Sequence, residues 1–233
     1  LLITALIGIV VWGIAAALGM YNGILASTPP ITTAQLASTE EATFVYDIEG
    51  NKIDELVAAN SNRILVSMDQ IPKHMADAVV AIEDERFYDH NGVDVMGMVR
   101  AGYQFVKTMG DEKQGASTIT QQLLKNTIFT DWMDEGDNLI KSVKRKLQEQ
   151  YLAVELTKVL SKEEILERYM NTINLGQNTL GVEAASQRYF GKSVSELTLS
   201  ECATIAVITQ NPSKYNPISH PEENVIRRKK CLD

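Results

Sequence analysis

Three acidic residues follow an apolar run in the stretch AIEDERFYDHNG at residues 81–92. Glu83 and Asp84 are the first two of these acids, and His90 follows them before the stretch ends at a glycine. An apolar stem can hold carboxylates at the edge of a cleft, where apolar and aromatic neighbours raise a carboxyl pKa toward the range of a general base. By itself the stretch is also consistent with a plain helix end, with solvated acids and Phe87 packed below.

A second stretch, GASTITQQLLKN at residues 115–126, combines small residues with a helix start. Thr118 and Gln121 have the spacing of a capping box, so the positive end of a helix dipole is expected beside Gly115 and Ser117. Small residues let a ligand approach the backbone, and this helix end therefore predicts a site for an anion or for sugar hydroxyls. An ordinary capped helix is the alternative.

A basic face is predicted on a long helix over residues 137–158. Lys141, Arg145 and Glu149 stand one turn apart, and four cations fall within six residues. Like charges at this spacing destabilise a helix unless an anion binds there, although a solvated face would also account for them. The helical spacing also predicts a buried stripe formed by Ile140, Val143, Leu147, Tyr151 and Val154.

The elements that position these residues are mostly helical. Turn residues separate two strand-like runs, which predicts a small β-hairpin over residues 43–56. Helical periodicity dominates after that point, with helices predicted at 72–82, 93–109, from 118 onward, and at 137–158, 161–170, 181–190 and 198–209. The predicted fold class is mainly α, with one small N-terminal hairpin.

The N-terminus predicts contact with a membrane. Residues 1–39 contain no charged side chain, and a run of roughly 20 apolar residues can span a bilayer. We expect a transmembrane helix at residues 1–25 and a linker at 26–42, with a cleaved signal peptide as the alternative. No Lys or Arg follows until Lys52, so the C-terminal side is predicted to be exported.

A second segment could also contact the membrane. The large apolar groups at residues 127–133 are predicted to form either part of the core or a lip at the bilayer interface.

Composition and residue spacing limit which partners, disulfides and metal sites the chain can have. The chain has 233 residues and a net charge of −8, which argues against nucleic acid as a partner. Its two cysteines do not form a disulfide framework, and Cys202 lies in an apolar helical pattern typical of a core residue. The sequence has no Cys and His spacing typical of a metal site, no phosphate-binding loop and no internal repeat.

Together these stretches resemble the peptidoglycan glycosyltransferases of family 51, found in class A penicillin-binding proteins and in monofunctional transglycosylases. The resemblance covers residues 62–217, and its motifs appear in order. They are E-D-x-x-F-x-x-H-x-G from Glu83, G-x-S-T-I-T-Q-Q from Gly115, R-K-x-x-E from Arg145, I-L-x-x-Y-x-N-x-x-x-x-G from Ile165, and QNPSKYNP from Gln210. The chain departs from the family at Lys141, where arginine is common, and at Asn174, where an aromatic is common.

The resemblance implies a lysozyme-like helical domain over residues 43–220, with 221–233 as the start of a truncated C-terminal helix or linker. It makes Glu83 the base and Glu149 a second essential carboxylate, which either orients the cations or holds a divalent ion, Mg²⁺ or Mn²⁺. No other cofactor and no protein metal site are expected. The implied substrate-binding residues are Asp84, Phe87, His90, Gly115, Ser117, Thr118, Gln121, Gln122, Lys125, Lys141, Arg145, Lys146, Asn171 and Gly176.

The implied reaction polymerises lipid II, a lipid-linked disaccharide-peptide, into glycan strands with inversion and with release of undecaprenyl pyrophosphate. The implied partners are the growing glycan strand, the plasma membrane, moenomycin-type inhibitors and other proteins of cell-wall synthesis and division. The chain would be a single-pass plasma-membrane protein with its catalytic domain on the extracytoplasmic face. Alternatives are a lytic hydrolase on the same scaffold, which has no use for the basic helix, and an inactive membrane-tethered scaffold, which has no reason to retain the motifs.

Overall fold

The computed structural model describes residues 2–31, 43–50, 52–56, 63–109, 115–130 and 138–233. The predicted mainly α class is confirmed for these residues. The elements in chain order are α1 (Leu2–Ala26), β1 (Thr43–Tyr46), β2 (Lys52–Leu56), α2 (Lys73–Glu83), α3 (Val95–Lys107), α4 (Ile119–Thr127), α5 (Leu139–Val159), α6 (Lys162–Met170), α7 (Val182–Phe190), α8 (Leu199–Ala206) and α9 (Pro221–Leu232). Single 3₁₀ turns lie at Met68–Gln70 and Val194–Glu196.

The core lies between two groups of helices that meet at α4 and α2. Helix α4 packs against α5 and α6, while α2 packs against α8 and α9. The largest fully buried side chains are Tyr169, Phe87, Met75, Ile119, Leu123, Leu124, Leu156, Ile165, Leu166, Met170, Leu175 and Ile205. Because α4 is buried along most of its length, the polar residues at its first turn are fixed relative to both helix groups.

Strands β1 and β2 pair antiparallel into a two-stranded hairpin, with Thr43 opposite Leu56 and a register irregularity between Val45 and Tyr46. Gly50 turns the chain between them at φ +86°. Several predicted segments fall outside the described residues: 32–42 of the linker, 110–114 of the loop that precedes the second motif, and 131–133 of the apolar lip.

The predicted transmembrane segment forms the helix α1. Its C-terminal end contacts α5, where Gln148 Nε2 donates hydrogen bonds to Ile24 O and Ser27 Oγ, both at 3.2 Å. In the part of the chain that the structure describes, no helix meets the length and hydropathy required of a membrane span. The predicted span is therefore not confirmed.

The buried stripe predicted for α5 is wrong. Ile140 is 81% exposed and Val143 is 49% exposed, whereas Gln148, Glu149, Leu152, Ala153 and Leu156 are buried. The buried face combines apolar residues with Gln148 and Glu149, whose hydrogen-bond and ion-pair partners lie at the end of α1 and on α5 itself. Polar groups can be buried when they are paired in this way, so apolar spacing alone does not identify the buried face.

Gly92 lets the loop after α2 close onto both α4 and α5. Its backbone has φ +86°, and its carbonyl oxygen accepts a hydrogen bond of 2.6 Å from Thr118 Oγ1. A Cβ atom at this position would lie 2.2 Å from the carbonyl oxygen of Ala153. A side chain here would therefore push the loop away from α5.

Replacing Gly92 tests this contact. Gly92→Ala should lower the free energy of unfolding by at least about 2 kcal/mol, because a left-handed backbone alone costs an L-residue roughly 1–2 kcal/mol before the clash is counted. Gly102→Ala is the control, since a Cβ at Gly102 meets nothing within 4 Å; in a helix interior it should be neutral or stabilising by up to about 1 kcal/mol. Urea unfolding followed by circular dichroism measures both, and equal stabilities would disprove the contact.

Candidate active site

The end of α2, the first turn of α4 and the first half of α5 enclose a cavity of about 520 Å³. The segment after α8 and the helix α9 also contribute to its wall. The lining residues are Ala81, Ile82, Glu83, Asp84, Glu85, Arg100, Gly115, Ser117, Gln121, Gln122, Lys125, Lys146, Thr209, Gln210 and Arg227. The cavity thus brings together side chains from the first, second, third and fifth sequence motifs.

Glu83 is the last residue of α2, and each of its carboxylate oxygens accepts one hydrogen bond. Thr209 Oγ1 bonds to Oε1, and Gln122 Nε2 donates to Oε2 at 2.8 Å. The side chain is half-buried at the cavity wall. A carboxylate oxygen has two lone pairs, so each oxygen keeps acceptor capacity for a ligand.

Tyr169 and Glu83 contact opposite ends of the Gln122 amide. Burial raises the pKa of Tyr169 well above its ordinary value, and the nearby Glu83 and Asp84 raise it further. The phenol therefore stays protonated and donates to Gln122 Oε1 at 3.0 Å. An ionised carboxylate only accepts, so the orientation with the amide nitrogen at Glu83 and the amide oxygen at Tyr169 satisfies both contacts.

Asp84 follows Glu83 directly but faces the interior. Its side chain is only 3% exposed, and its oxygens lie 2.9 and 3.0 Å from His90 Nε2. One of these oxygens also accepts the backbone N–H of Ile119 at 3.0 Å. Ile119 begins α4, so the carboxylate sits at the positive end of that helix dipole. Asp84 therefore positions the loop and the helix.

Phe87 and His90 support the loop from within. Phe87 is fully buried, and the ammonium of Lys162 lies 4.3 Å from the centre of its ring. Lys162 also donates to the carbonyl oxygens of Phe87 and His90. Burial lowers the pKa of Lys162, while Asp84 and Asp89 oppose that shift. The predicted substrate contact of Phe87 is corrected, because its ring presents no surface to a ligand, and the 8% exposed His90 side chain is bound to Asp84.

Glu149 is fully buried and paired with two cations from its own helix. Arg145 Nη1 donates to Oε1, and Lys146 Nζ donates to Oε2 at 2.8 Å. Lys146 Nζ also donates to Ser117 Oγ at 3.0 Å. A buried carboxylate requires such partners. Glu149 thus holds two cations, Arg145 and Lys146, and Lys146 links them to Ser117 just before α4.

The other predicted residues of the second motif occupy two kinds of position. Gly115, Gln121 and Lys125 line the cavity. Gln121 is buried, and its Nε2 has no hydrogen-bond partner among the described residues, so it is available as a donor. Thr118 caps α4 through a bond from the Gln121 N–H at 3.2 Å. Lys141 lies on the exposed face of α5, apart from this lining.

Asn171 and Gly176 do not join this cavity. Asn171 binds the backbone of Val66 through both ends of its amide, at 3.0 and 2.7 Å. Gly176 lines a separate cavity of about 530 Å³. It has φ +76°, and a Cβ there would approach Tyr189 Oη to 3.3 Å. Both residues also have a role in folding the chain, and their predicted contact with the substrate stays a prediction.

Seven residues that line the cavity are not among the predicted site residues. Ala81, Ile82 and Glu85 adjoin the predicted Glu83, and the other four are Arg100, Thr209, Gln210 and Arg227. Gln210 begins the fifth motif and Thr209 directly precedes it, which could have indicated both. Arg100 lies on α3 and Arg227 on α9, and neither position is marked by a recognised spacing. Only the packing of α9 against α2 and α8 brings Arg227 to the cavity.

The residues present do not form a cation site by themselves. In the described ranges, no group of three or more His, Cys, Asp or Glu side chains could hold a metal ion. Both oxygens of Glu149 are bonded to Arg145 and Lys146. A divalent ion at Glu149 would have to compete with both side chains.

A family model described as Transglycosylase matches residues 49–233. The chain therefore belongs to the transglycosylase family. Penicillin-binding protein 1A of Clostridium botulinum strain Langeland is 43% identical over 204 residues, covering 86% of this chain and 24% of that protein. The protein of the same name from Clostridium acetobutylicum is 44% identical over 208 residues, covering 88% and 25%. The protein of that name from Vibrio cholerae is 38% identical over 232 residues, covering 100% and 27%.

The chain spans about a quarter of the length of these curated relatives. Among solved structures, it is similar to the 2.6 Å crystal structure of penicillin-binding protein 1A from Haemophilus influenzae, with 25% identity over 84% of this chain and 18% of that one. The TM-score is 0.43, and no conclusion is based on this likeness.

The pairing of Glu149 predicts a stability difference between two glutamates of α5. Glu149→Gln removes the buried charge between Arg145 and Lys146 and should lower the free energy of unfolding by about 2 kcal/mol or more. Glu155→Gln is the control, because Glu155 pairs at 2.6 Å with Lys158 and their side chains are 40% and 60% exposed. That change should cost less than about 0.5 kcal/mol. Urea unfolding of the two variants distinguishes them, and equal losses would mean that Glu149 is not buried between the cations.

Proposed function

We propose that this domain is a peptidoglycan glycosyltransferase that joins lipid II into glycan strands and releases undecaprenyl pyrophosphate. The observation that carries the proposal is a shared cavity. Glu83, whose carboxylate is held by two hydrogen bonds, and Lys146, which pairs with Glu149 beside Arg145, line the same cavity. Membership of the transglycosylase family supports the same reaction class and a lysozyme-like architecture.

Glu83 acts as the general base in this proposal. It takes the proton of the acceptor sugar's 4-hydroxyl while that oxygen forms a bond to the anomeric carbon of the donor. The bond from the anomeric carbon to the pyrophosphate oxygen breaks, and its electron pair leaves with the pyrophosphate. Attack from the face opposite the leaving group inverts the configuration. Thr209 and Gln122 hold the carboxylate for this transfer.

The cations stabilise the charge that develops on the departing pyrophosphate. Lys146 and Lys125 line the cavity, and Arg145 shares Glu149 with Lys146. Cations held in place before the reaction need little reorganisation in the transition state. Glu149 orients two of these cations, Arg145 and Lys146. Gln121 Nε2 has no hydrogen-bond partner among the described residues and adds a donor for phosphate or sugar oxygens.

A lytic hydrolase fits the site less well. A glycosidase needs a second carboxyl that donates a proton to the leaving alkoxide. Asp84 is buried against His90 and the start of α4, and Glu149 is bound by two cations. Neither is placed to protonate a leaving group. A pyrophosphate leaves as a stable anion and has no need of that acid.

We place the reaction at the plasma membrane, on its extracytoplasmic face, because the donor is attached to a lipid. Helix α3 supports this location, since it exposes a row of large apolar side chains while only Gly97 of the helix is buried. The exposed apolar residues of this helix are Val95, Met96, Met98, Val99, Tyr103, Phe105 and Val106. An apolar surface of this kind is suited to the headgroup boundary of a bilayer. The growing glycan strand, moenomycin-type inhibitors and other proteins of cell-wall synthesis and division are the partners that this function implies.

Removing the base should stop the chemistry without preventing binding. Glu83→Gln should abolish polymerisation of lipid II while the domain folds and still binds the substrate, because a base acts in the transition state. Polymer is measured by gel or chromatography, substrate binding by fluorescence and folding by circular dichroism. Glu155→Gln, on the solvent side of α5, is the control and should polymerise normally. Near wild-type turnover by folded Glu83→Gln would rule out this assignment.

Arg145 tests the role of the cations. Arg145→Ala should cut turnover on the order of a hundredfold, comparable with the loss of one preorganised electrostatic donor. Arg145→Lys should recover only part of it, because an ammonium cannot reproduce the guanidinium fork. A moenomycin-type phosphoglycolipid should also bind Arg145→Ala less tightly.

Lys144→Ala is the matched control, since Lys144 is an exposed cation directly before Arg145 on the same helix. It should leave turnover and inhibitor affinity unchanged. Calorimetry and turnover are measured for all the variants, together with unfolding, because Arg145→Ala also leaves Glu149 with a single partner. Equal turnover and equal inhibitor affinity in Arg145→Ala and Lys144→Ala would mean that this face of α5 is only a solvated surface.

A further inference from the structure

Thr209 holds two hydrogen-bond contacts with a single proton. Its hydroxyl oxygen lies within hydrogen-bond distance of Glu83 Oε1 and 2.8 Å from the carbonyl oxygen of Ala206, the last residue of α8. A hydroxyl donates once and can accept through two lone pairs. A backbone carbonyl and an ionised carboxylate both only accept. The Thr209 proton can therefore satisfy Glu83 or Ala206 at a given moment, but not both.

The other contact of Glu83 lacks this freedom. Gln122 Nε2 can only donate, and the amide keeps this orientation while the Tyr169 phenol donates to Gln122 Oε1. An ionised Glu83 thus receives one donor at each oxygen. When Glu83 carries a proton, Thr209 can become its acceptor by rotating the hydroxyl, without a flip of the Gln122 amide.

We propose that Thr209 is a positioning residue for Glu83 and that its hydroxyl reverses direction during the reaction. It donates to Glu83 Oε1 while the carboxylate is ionised. Once Glu83 has taken the proton, Thr209 turns its own proton to Ala206 O and accepts a hydrogen bond from the carboxyl. This inference rests on the proposed function, in which Glu83 is the base.

The proton count balances without a further reactant. The proton that leaves the acceptor hydroxyl binds to Glu83 Oε1 and then turns about the carboxyl C–O bond toward Thr209, while the Thr209 proton only rotates about the Cβ–Oγ1 bond. Thr209 neither gains nor loses a proton. Because the same oxygen serves both states of Glu83, the carboxyl keeps its place at the end of α2 as its charge changes. Such fixed placement is what a base at a reacting centre requires.

Thr209→Val tests the proposal because valine keeps the shape and removes the hydroxyl. We expect kcat to fall roughly ten- to hundredfold, the range for losing one hydrogen bond to a charged group, while KM changes by less than about twofold. Thr209→Ser should recover most of the lost kcat, since it restores the hydroxyl. Thr209→Ala removes the hydroxyl without placing a methyl against the carboxylate, and it should behave like Thr209→Val.

Thr172→Val is the matched control. Thr172 is buried, and like that of Thr209 its hydroxyl lies against a backbone carbonyl oxygen, that of Arg168, to which it donates at 2.6 Å. It should retain wild-type kcat even if its stability falls. Lipid II turnover, urea unfolding and circular dichroism are measured on the whole chain for each variant.

The outcomes separate this inference from the proposed function. Wild-type kcat in folded Thr209→Val or Thr209→Ala overturns the role of Thr209. Equal losses in Thr209→Ser and Thr209→Val also overturn it, since the hydroxyl would then not be responsible. Glu83→Gln in the same assay reports on the base itself. If that variant is inactive while Thr209→Val is normal, only the inference about Thr209 fails.

Discussion

The buried carboxylate of Asp84 joins the end of one helix to the beginning of another, and the site depends on this junction. It accepts the first N–H of α4 and is bonded to His90, which lies in the loop that closes on α5. Neighbouring residues of a chain point in different directions when a helix ends between them. Because Asp84 is held inward, Glu83 stays at the cavity wall, beside the residues of α4.

The loop between α2 and α3 is fixed from several sides. Lys162 reaches two of its carbonyl oxygens, and Thr118 reaches a third at Gly92. These contacts convert three separate chain segments into one rigid frame around Glu83. Polar groups bonded within a core favour one arrangement because any other leaves them unpaired. The first motif therefore has a largely architectural role, and Glu83 is the carboxylate of this motif that Thr209 and Gln122 hold at the cavity.

Helix α5 buries a charged residue and exposes apolar ones, the reverse of the usual arrangement in a helix. It buries Glu149 with Arg145 and Lys146 nearby, and it exposes Ile140 and Val143. An ion pair is stable inside a protein only when its geometry is well matched. Here the match is intrahelical, at spacings of three and four residues, so the helix carries the cluster with it. The apolar side chains of Ile140 and Val143 that remain outside agree with the membrane location proposed above.

The sequence by itself determined the helical class, the family motifs and the proximity of Arg145 and Lys146 to Glu149, because these follow from local spacing. It did not determine which polar residues face the cavity. Asp84, Phe87 and Asn171 turn inward, and the buried face of α5 is the one that simple periodicity placed outside. Thr209 and Arg227 reach the cavity only through the packing of α8 and α9 on α2. Such contacts join residues far apart in the chain, and no local sequence pattern indicates which polar groups will form hydrogen bonds with each other.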